Sequence, residues 1–274
     1  MATLPNPLPA LAADPSGRSL GLQLPPGRLF DATEDGPWPE PLMWHAGTPA
    51  GPGHWASLGG SAARVGLLPV LVDLEDRQGG PAEWQLEPGE VSYPGDHDAE
   101  DVLAENWEGD DDHWDEELAE LFRPFGPEWP GLAPAGRLTA EPGLCAAQVA
   151  DSLCDGTRSW LRGPHLALVP ARRSADIPAA IGWTGPLNHD NDVARLCAVL
   201  RSWEDRFGIR VVALGFDTLH VSVAAPPADL GAAEALAAEH YAFCPDNVTQ
   251  NGPGGLQEYA KGLVGERVWS FWWD

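Results

Sequence analysis

Between Asp190 and Ala224 the chain spells out a helix and two strands in close succession, which restricts it to folds that mix both. Val193, Leu196, Cys197, Leu200, Trp203 and Phe207 recur at three- and four-residue spacing. Asp190-Asn-Asp192 offers N-caps before them and Gly208 stops the helix behind them. Ile209-Arg-Val-Val-Ala-Leu-Gly-Phe216 and Leu219-His-Val-Ser-Val-Ala224 follow as two β runs. Their junction at Asp217-Thr218 is short enough for an antiparallel hairpin. A strand at Leu166-Ala-Leu-Val-Pro170 precedes this unit. Helices from Asp229 to about Phe243 and from Leu256 to Leu263 follow it, with a terminal strand at Arg267-Val-Trp-Ser-Phe-Trp-Trp273. The order β-α-β-β-α-α-β predicts an α+β domain of ferredoxin-like (split βαβ) type, an antiparallel four-stranded sheet with helices on one face.

Upstream the pattern is less regular. Residues 1–27 are Pro-rich and predict an arm, mobile or wrapped onto the rest. Residues 28–160 read as an acidic, irregular α/β region with few strands. Val65-Gly-Leu-Leu-Pro-Val-Leu-Val-Asp-Leu74 is its clearest strand, and Pro69 within it implies an edge or a bulge. A short helix is expected around Leu144 to Leu153, after a Pro-rich connector. The boundary with a C-terminal domain, residues 161–274, is placed near residue 160.

The formal net charge is −25, with Lys261 as the single lysine. Arg in place of Lys, with abundant Ala, Gly and Pro, suggests a GC-rich genome. A field of this sign repels phosphate backbones, so nucleic-acid partners are not expected and a basic protein or peptide is the better partner class. Thirteen carboxylates and no Lys or Arg lie between Asp96 and Glu120. Trp114, Leu118, Leu121 and Phe122 fit one helical face, so the stretch reads as an amphipathic helix with a solvated acidic side. The sharper alternative is a docking surface comprising Asp110, Asp111, Asp112, Asp115, Glu116 and Glu117. An EF-hand is not predicted, because alternating oxygen ligands and a central Gly are missing there.

The N-terminus has no basic segment followed by an apolar one, and no eighteen apolar residues run together, so neither secretion nor membrane spanning is expected. Cys145, Cys154, Cys197 and Cys244 are scattered, with no CxxC pair. They read as isolated thiols of a reducing compartment, the cytoplasm.

Five ordered motifs stand out in the C-terminal part: Arg201-Ser-Trp-Glu-Asp-Arg-Phe-Gly208, Gly215-Phe-Asp-Thr-Leu219, Ala238-Glu-His240, Ala242-Phe-Cys-Pro-Asp-Asn247 and Trp269-Ser-Phe-Trp-Trp-Asp274. With these the stretch from about 165 to 274 resembles the bacterial domain-of-unknown-function family numbered 4253. Gly66-Leu-Leu-Pro-Val-Leu71 resembles the upstream region of longer actinobacterial members. The resemblance implies no activity, cofactor or ligand set.

Several polar residues carry chemistry in principle. Alternation puts Leu219, Val221 and Val223 on one strand face and Thr218, His220 and Ser222 on the other. With Arg210 on the partner strand and Trp269 and Trp273 from the terminal strand, the second face offers an aromatic-walled pocket with a polar floor. Asp217, His220 and His240, with Ser222 or Cys244 as nucleophile, are the residue types of base-assisted attack. A metal reading uses His189, Asp190, Asp192, His220 and His240, but helix capping accounts for the first group and no metal centre is assigned. No cofactor is assigned either. The terminal aromatic strand is expected to be core. The leading expectation is a non-enzymatic, acidic interaction protein, immunity-like or regulatory, that binds a cationic protein. The alternative is a small-molecule or metal-binding enzyme with its site at the junction of the two halves.

Overall fold

The computed structural model describes residues 5–33, 35–108, 116–155, 161–250 and 254–274. Its strands are β1 (Gly27–Phe30), β2 (Ala32–Thr33), β3 (Gly36–Pro37), β4 (Met43–Ala46), β5 (Leu67–Asp73), β6 (Pro164–Pro170), β7 (Arg210–Leu214), β8 (Thr218–Ser222) and β9 (Val268–Trp272). The helices are α1 (Ala10–Ala13), α2 (His54–Ala63), α3 (Ala99–Glu108), α4 (Glu116–Leu121), α5 (Pro142–Cys154), α6 (Ile177–Ile181), α7 (Val193–Phe207), α8 (Leu230–Phe243), α9 (Asp246–Thr249) and α10 (Leu256–Leu263). Among the described residues no helix is long and apolar enough to cross a membrane.

The chain is a mixed α+β protein built on one seven-stranded sheet of order β1-β4-β6-β5-β7-β8-β9, and β2 pairs with β3 in a separate ribbon. Neighbours in the large sheet are antiparallel except β5 and β7, which run parallel. The ferredoxin-like expectation is corrected here in two respects. β5, from the N-terminal region, lies between β6 and β7, so the four C-terminal strands do not form a sheet of their own. Helices also cover both faces. Residues of α7 and α8 pack with Val70, Val72, Val211, Leu219, Val221, Trp269 and Phe271 on one side. Residues of α2 and α5 pack with Leu71, Leu166, Val212 and Ala213 on the other. The uninterrupted Val70-Leu71-Val72 of β5 fits such a strand, buried on both faces and needing apolar residues at every position.

Pro69 is therefore in the middle of the sheet rather than at its edge. It is opposite Leu168 of β6, while parallel pairing to β7 involves only Leu71 with Ala213 and Val72 with Leu214. At Pro69, which has no N–H to donate, β5 has no register partner on the β7 side, and the sheet opens there.

Local signals were followed elsewhere. The Asp192 side chain accepts from Ala194 N and caps α7, and Gly208 ends it at φ 62. A Cβ at Gly208 would come within 2.9 Å of Leu138. The Pro-rich start is held by apolar contacts: Leu8, Leu11 and Leu22 are buried with Trp44, Leu67 and Leu168. Of the expected acidic helix, α3 and α4 lie within the described residues. Asp110, Asp111, Asp112, Trp114 and Asp115 lie outside them, as do the side chains of Glu116, Glu117 and Leu118.

Candidate functional site

The expected catalytic residues do not converge. His220 faces away from the α7–α8 side, and its Nδ1 is 2.8 Å from Ser270 Oγ. Asp217 accepts from the Trp272 indole at 3.3 Å. His240, on α8, is on the opposite side of the sheet, where rings of Trp203, Trp269, Phe271 and Tyr259 surround it. Its Nδ1 is 3.1 Å from the Tyr259 hydroxyl. Burial drives the pKa of His240 down to about 3. Burial also lowers His220 to about 4, against an opposing pull from Asp73. Burial raises Asp217, opposed by the Trp272 hydrogen bond, and pushes Cys244 up to about 12. Both imidazoles are thus neutral at pH 7 and the thiol is protonated, which fits packing rather than proton transfer.

The metal candidates are equally dispersed. His189 Nε2 is 3.1 Å from Ala242 O, Asp190 pairs with Arg195 at 2.9 Å, and Asp192 is the α7 cap. Among the described residues no three His, Cys, Asp or Glu side chains form a group able to hold a metal ion. The aromatic pocket is not assembled, because Trp269 and Trp273 pack on the α7–α8 side whereas Ser222 alternates with His220 on the other. Trp269 and Trp273 are core side chains, and Ser222 is fully buried.

The five motifs have framework roles that their geometry explains. Arg201 forks onto Asp176 at 2.5 and 3.0 Å and lies over the Tyr93 ring. Trp203 donates to Glu239 at 2.7 Å, and Arg206 makes two bonds to the same carboxylate at 2.7 and 2.6 Å. The backbone N–H of Ala133 is a further donor to Glu239, at 2.6 Å. Asn247 acts as a surrogate strand partner at the sheet's edge. Its amide donates to Ser270 O at 2.7 Å and its oxygen accepts from Trp272 N at 3.2 Å, satisfying backbone groups that β9 would otherwise leave open. Cys244 donates to Trp272 O beside it.

What the sheet leaves open is a cleft of about 590 Å³ where β5 and β7 diverge. One wall is α2, through Trp55, Gly59 and Gly60; another is α5, through Leu144, Ala146 and Ala147. Leu68 and Pro69 of β5 contribute to the lining, and Arg172, Arg173, Glu204 and Arg210 supply charge. Glu204 lies between two guanidiniums, 3.6 Å from Arg173 and 3.3 Å from Arg210, and accepts from Ala175 N at 3.1 Å. Asp205 holds Arg173 from the other side at 2.5 Å. Glu141, also in the lining, caps α5 by accepting from Gly143 N and Leu144 N, and these backbone bonds hold its pKa below the usual carboxylate range.

Of the expected pocket residues Arg210 alone lines this cleft. Arg172, Arg173, Glu204 and Gly60 went unrecognised. The signals for them were an Arg-Arg pair in a chain with few cations and a Gly-Gly pair inside an otherwise helical segment.

By its sheet and flanking helices the chain is an α+β protein whose cleft draws on both halves of the sequence. Residues 165–274 match the family model described as "Domain of unknown function (DUF4253)". No curated protein and no solved structure matches the chain. The five C-terminal motifs fall within the matched stretch, whereas Gly66-Leu-Leu-Pro-Val-Leu71 and with it α2, β5 and α5 lie upstream of it.

Proposed function

We propose that this protein binds a small organic ligand in the cleft between α2, α5 and the diverging strands β5 and β7. The observation that carries this reading is a cleft of about 590 Å³, within the size range of small-molecule sites, with apolar walls and a few clustered polar groups. Binding is favoured over turnover because the lining contains no His, Cys, Lys or Tyr, and its one hydroxyl, Ser174 Oγ, already accepts from Val211 N at 2.8 Å. Native mass spectrometry of the protein from its own host tests the reading. A retained small molecule that is absent from Gly60→Leu protein, in which the cleft is narrowed, is the expected result. A ligand retained equally by both proteins would place binding elsewhere.

The net charge of −25 favours a second reading, a basic protein or peptide held on the acidic surface, with Asp110, Asp111, Asp112, Asp115, Glu116 and Glu117 as its contacts. The two readings respond differently to salt. Association with a basic partner weakens steeply as salt is raised, because exposed charges are screened beyond about 10 Å at 0.1 M. A ligand in the half-buried cleft changes little. Four free thiols support the cytoplasm as the compartment, and the same charge disfavours nucleic acid as a partner.

A further inference from the structure

We infer that the ligand of the cleft is an amphiphile with one oxyanion head, a carboxylate or a phosphate, on an apolar body. Its head lies against Arg173 and Arg210 and its body along Gly60 and Leu144. The inference rests on the cleft reading and adds the chemical class to it.

Charge is the first argument. In a chain of net charge −25, Arg172, Arg173 and Arg210 gather in one cleft with Glu141 and Glu204, and Asp205 also holds Arg173 at 2.5 Å. Glu141 is committed to the α5 backbone. Glu204 is shared loosely between Arg173 and Arg210, at 3.6 and 3.3 Å, and both arginines remain about one-third exposed, at 32%. A guanidinium presents a planar fork of donors matched to carboxylate and phosphate oxygens, so an arriving oxyanion can share these donors with Glu204. A polyanion such as a nucleotide would meet the repulsion of the whole protein, whereas a single oxyanion on an apolar body limits that repulsion and adds hydrophobic burial.

The walls supply the second argument. Leu144 is a large apolar side chain left 56% exposed at the cleft. Gly60 is inside α2, where glycine is disfavoured. A Cβ built on it meets nothing within 4 Å, while one on Gly59 meets Pro69 at 3.3 Å. Packing of α2 on β5 therefore explains Gly59. It does not explain Gly60, whose missing side chain widens the cleft.

The test is calorimetric titration of the full chain with dodecanoate, dodecyl phosphate and dodecanol, each below its aggregation threshold. At least one of the two anions is expected to bind, about tenfold or more tighter than the alcohol, as a charge-assisted hydrogen bond implies. The preferred anion identifies the head. Arg210→Leu should weaken the anion about tenfold without affecting the alcohol. Glu204→Gln, which keeps an acceptor for Ala175 N but removes the competing charge, should tighten it about threefold or more, a gain that no loss of structure produces. Thermal unfolding verifies that each variant is folded. Equal binding of alcohol and anions, or no binding of any probe while Gly60→Leu still sheds a co-purified ligand, overturns the oxyanion amphiphile and leaves the cleft reading standing. Unchanged anion binding in folded Gly60→Leu protein overturns both.

Discussion

Glu239 and Glu204 are both paired with arginine, and each pair has one member on the same turn of α7, Arg206 and Glu204, yet the two carboxylates live in different regions. Glu239 is fully buried, and Arg206, the Trp203 indole and Ala133 N surround it with bonds of 2.6–2.7 Å. Glu204 lines a cleft and bridges its two arginines at 3.3 Å or more. In the closed region the donors around Glu239 share one fixed acceptor, so the network holds α7, α8 and the segment at Ala133 in one arrangement. In the open region the same residue types keep water-facing donors that a ligand can engage. An Arg–Glu pair is thus structural or receptive according to its surroundings.

The largest effect expected is in the closed region. Deleting Trp269–Asp274 removes all of β9 except Val268, and with it the buried rings of Trp269, Phe271 and Trp273. Each such ring contributes roughly 1.5–3 kcal/mol by burial alone, against a total stability of about 5–15 kcal/mol for a typical protein. No soluble folded protein is expected, and circular dichroism of a soluble truncation with native helix content would refute the core assignment. Glu239→Ala comes next. It strands the Arg206 guanidinium and the Trp203 indole, at a cost of about 3–5 kcal/mol in urea unfolding. Glu204→Ala should cost less, about 1–3 kcal/mol, because it leaves Ala175 N without its acceptor while both arginine partners stay about one-third exposed to water. Equal losses would erase the distinction between the two regions.

A pH series sharpens the same contrast. Folded His240 takes up a proton only near pH 3, whereas the ordinary imidazole value is 6.5. Between these values the unfolded chain binds more protons, so the contribution is fully present above about pH 6.5 and is lost as pH falls toward 3, at up to about 1.4 kcal/mol per pH unit. His220, lowered to about 4, adds to the slope. His240→Phe should flatten the difference between stability at pH 6.5 and pH 4.5 relative to the parent. An unchanged slope would show that His240 is not the neutral, sealed imidazole described above.

Local patterns foretold the elements better than their assembly. Asp192, the apolar spacing of α7 and Gly208 place a helix to within a residue, and β7 and β8 form the expected hairpin, because caps, periodicity and short turns act within a few residues. The insertion of β5 between β6 and β7 was invisible, since it joins Leu71 to Ala213 across the length of the chain. Pro69 pointed to an edge or a bulge, and the observed cause is a missing register partner on the β7 side. Glu239 is part of the Ala238-Glu-His240 motif, yet nothing local announces a bond to Arg206 from 33 residues away. The cleft was hardest, as α2, α5, Arg172-Arg173 and Arg210 become neighbours only through the sheet. Arg210 was picked out for its partner strand, not for the space beside it.

The smallest effect expected is the most telling about that space. Gly60→Ala puts a methyl group where a Cβ meets no atom within 4 Å, so it incurs no overpacking cost. It also removes the entropic penalty of glycine in a helix interior, which is worth roughly 0.5–1 kcal/mol. Gly59→Ala forces its methyl against Pro69 at 3.3 Å, which offsets some or all of the same gain. Urea unfolding of the two variants should therefore place Gly60→Ala above the parent and above Gly59→Ala. If Gly60→Ala destabilises instead, that wall already packs against something, and the glycine serves the fold. If it stabilises, the helix has forgone an available gain at a position where a side chain would intrude on the cleft, as expected of a wall shaped for an occupant.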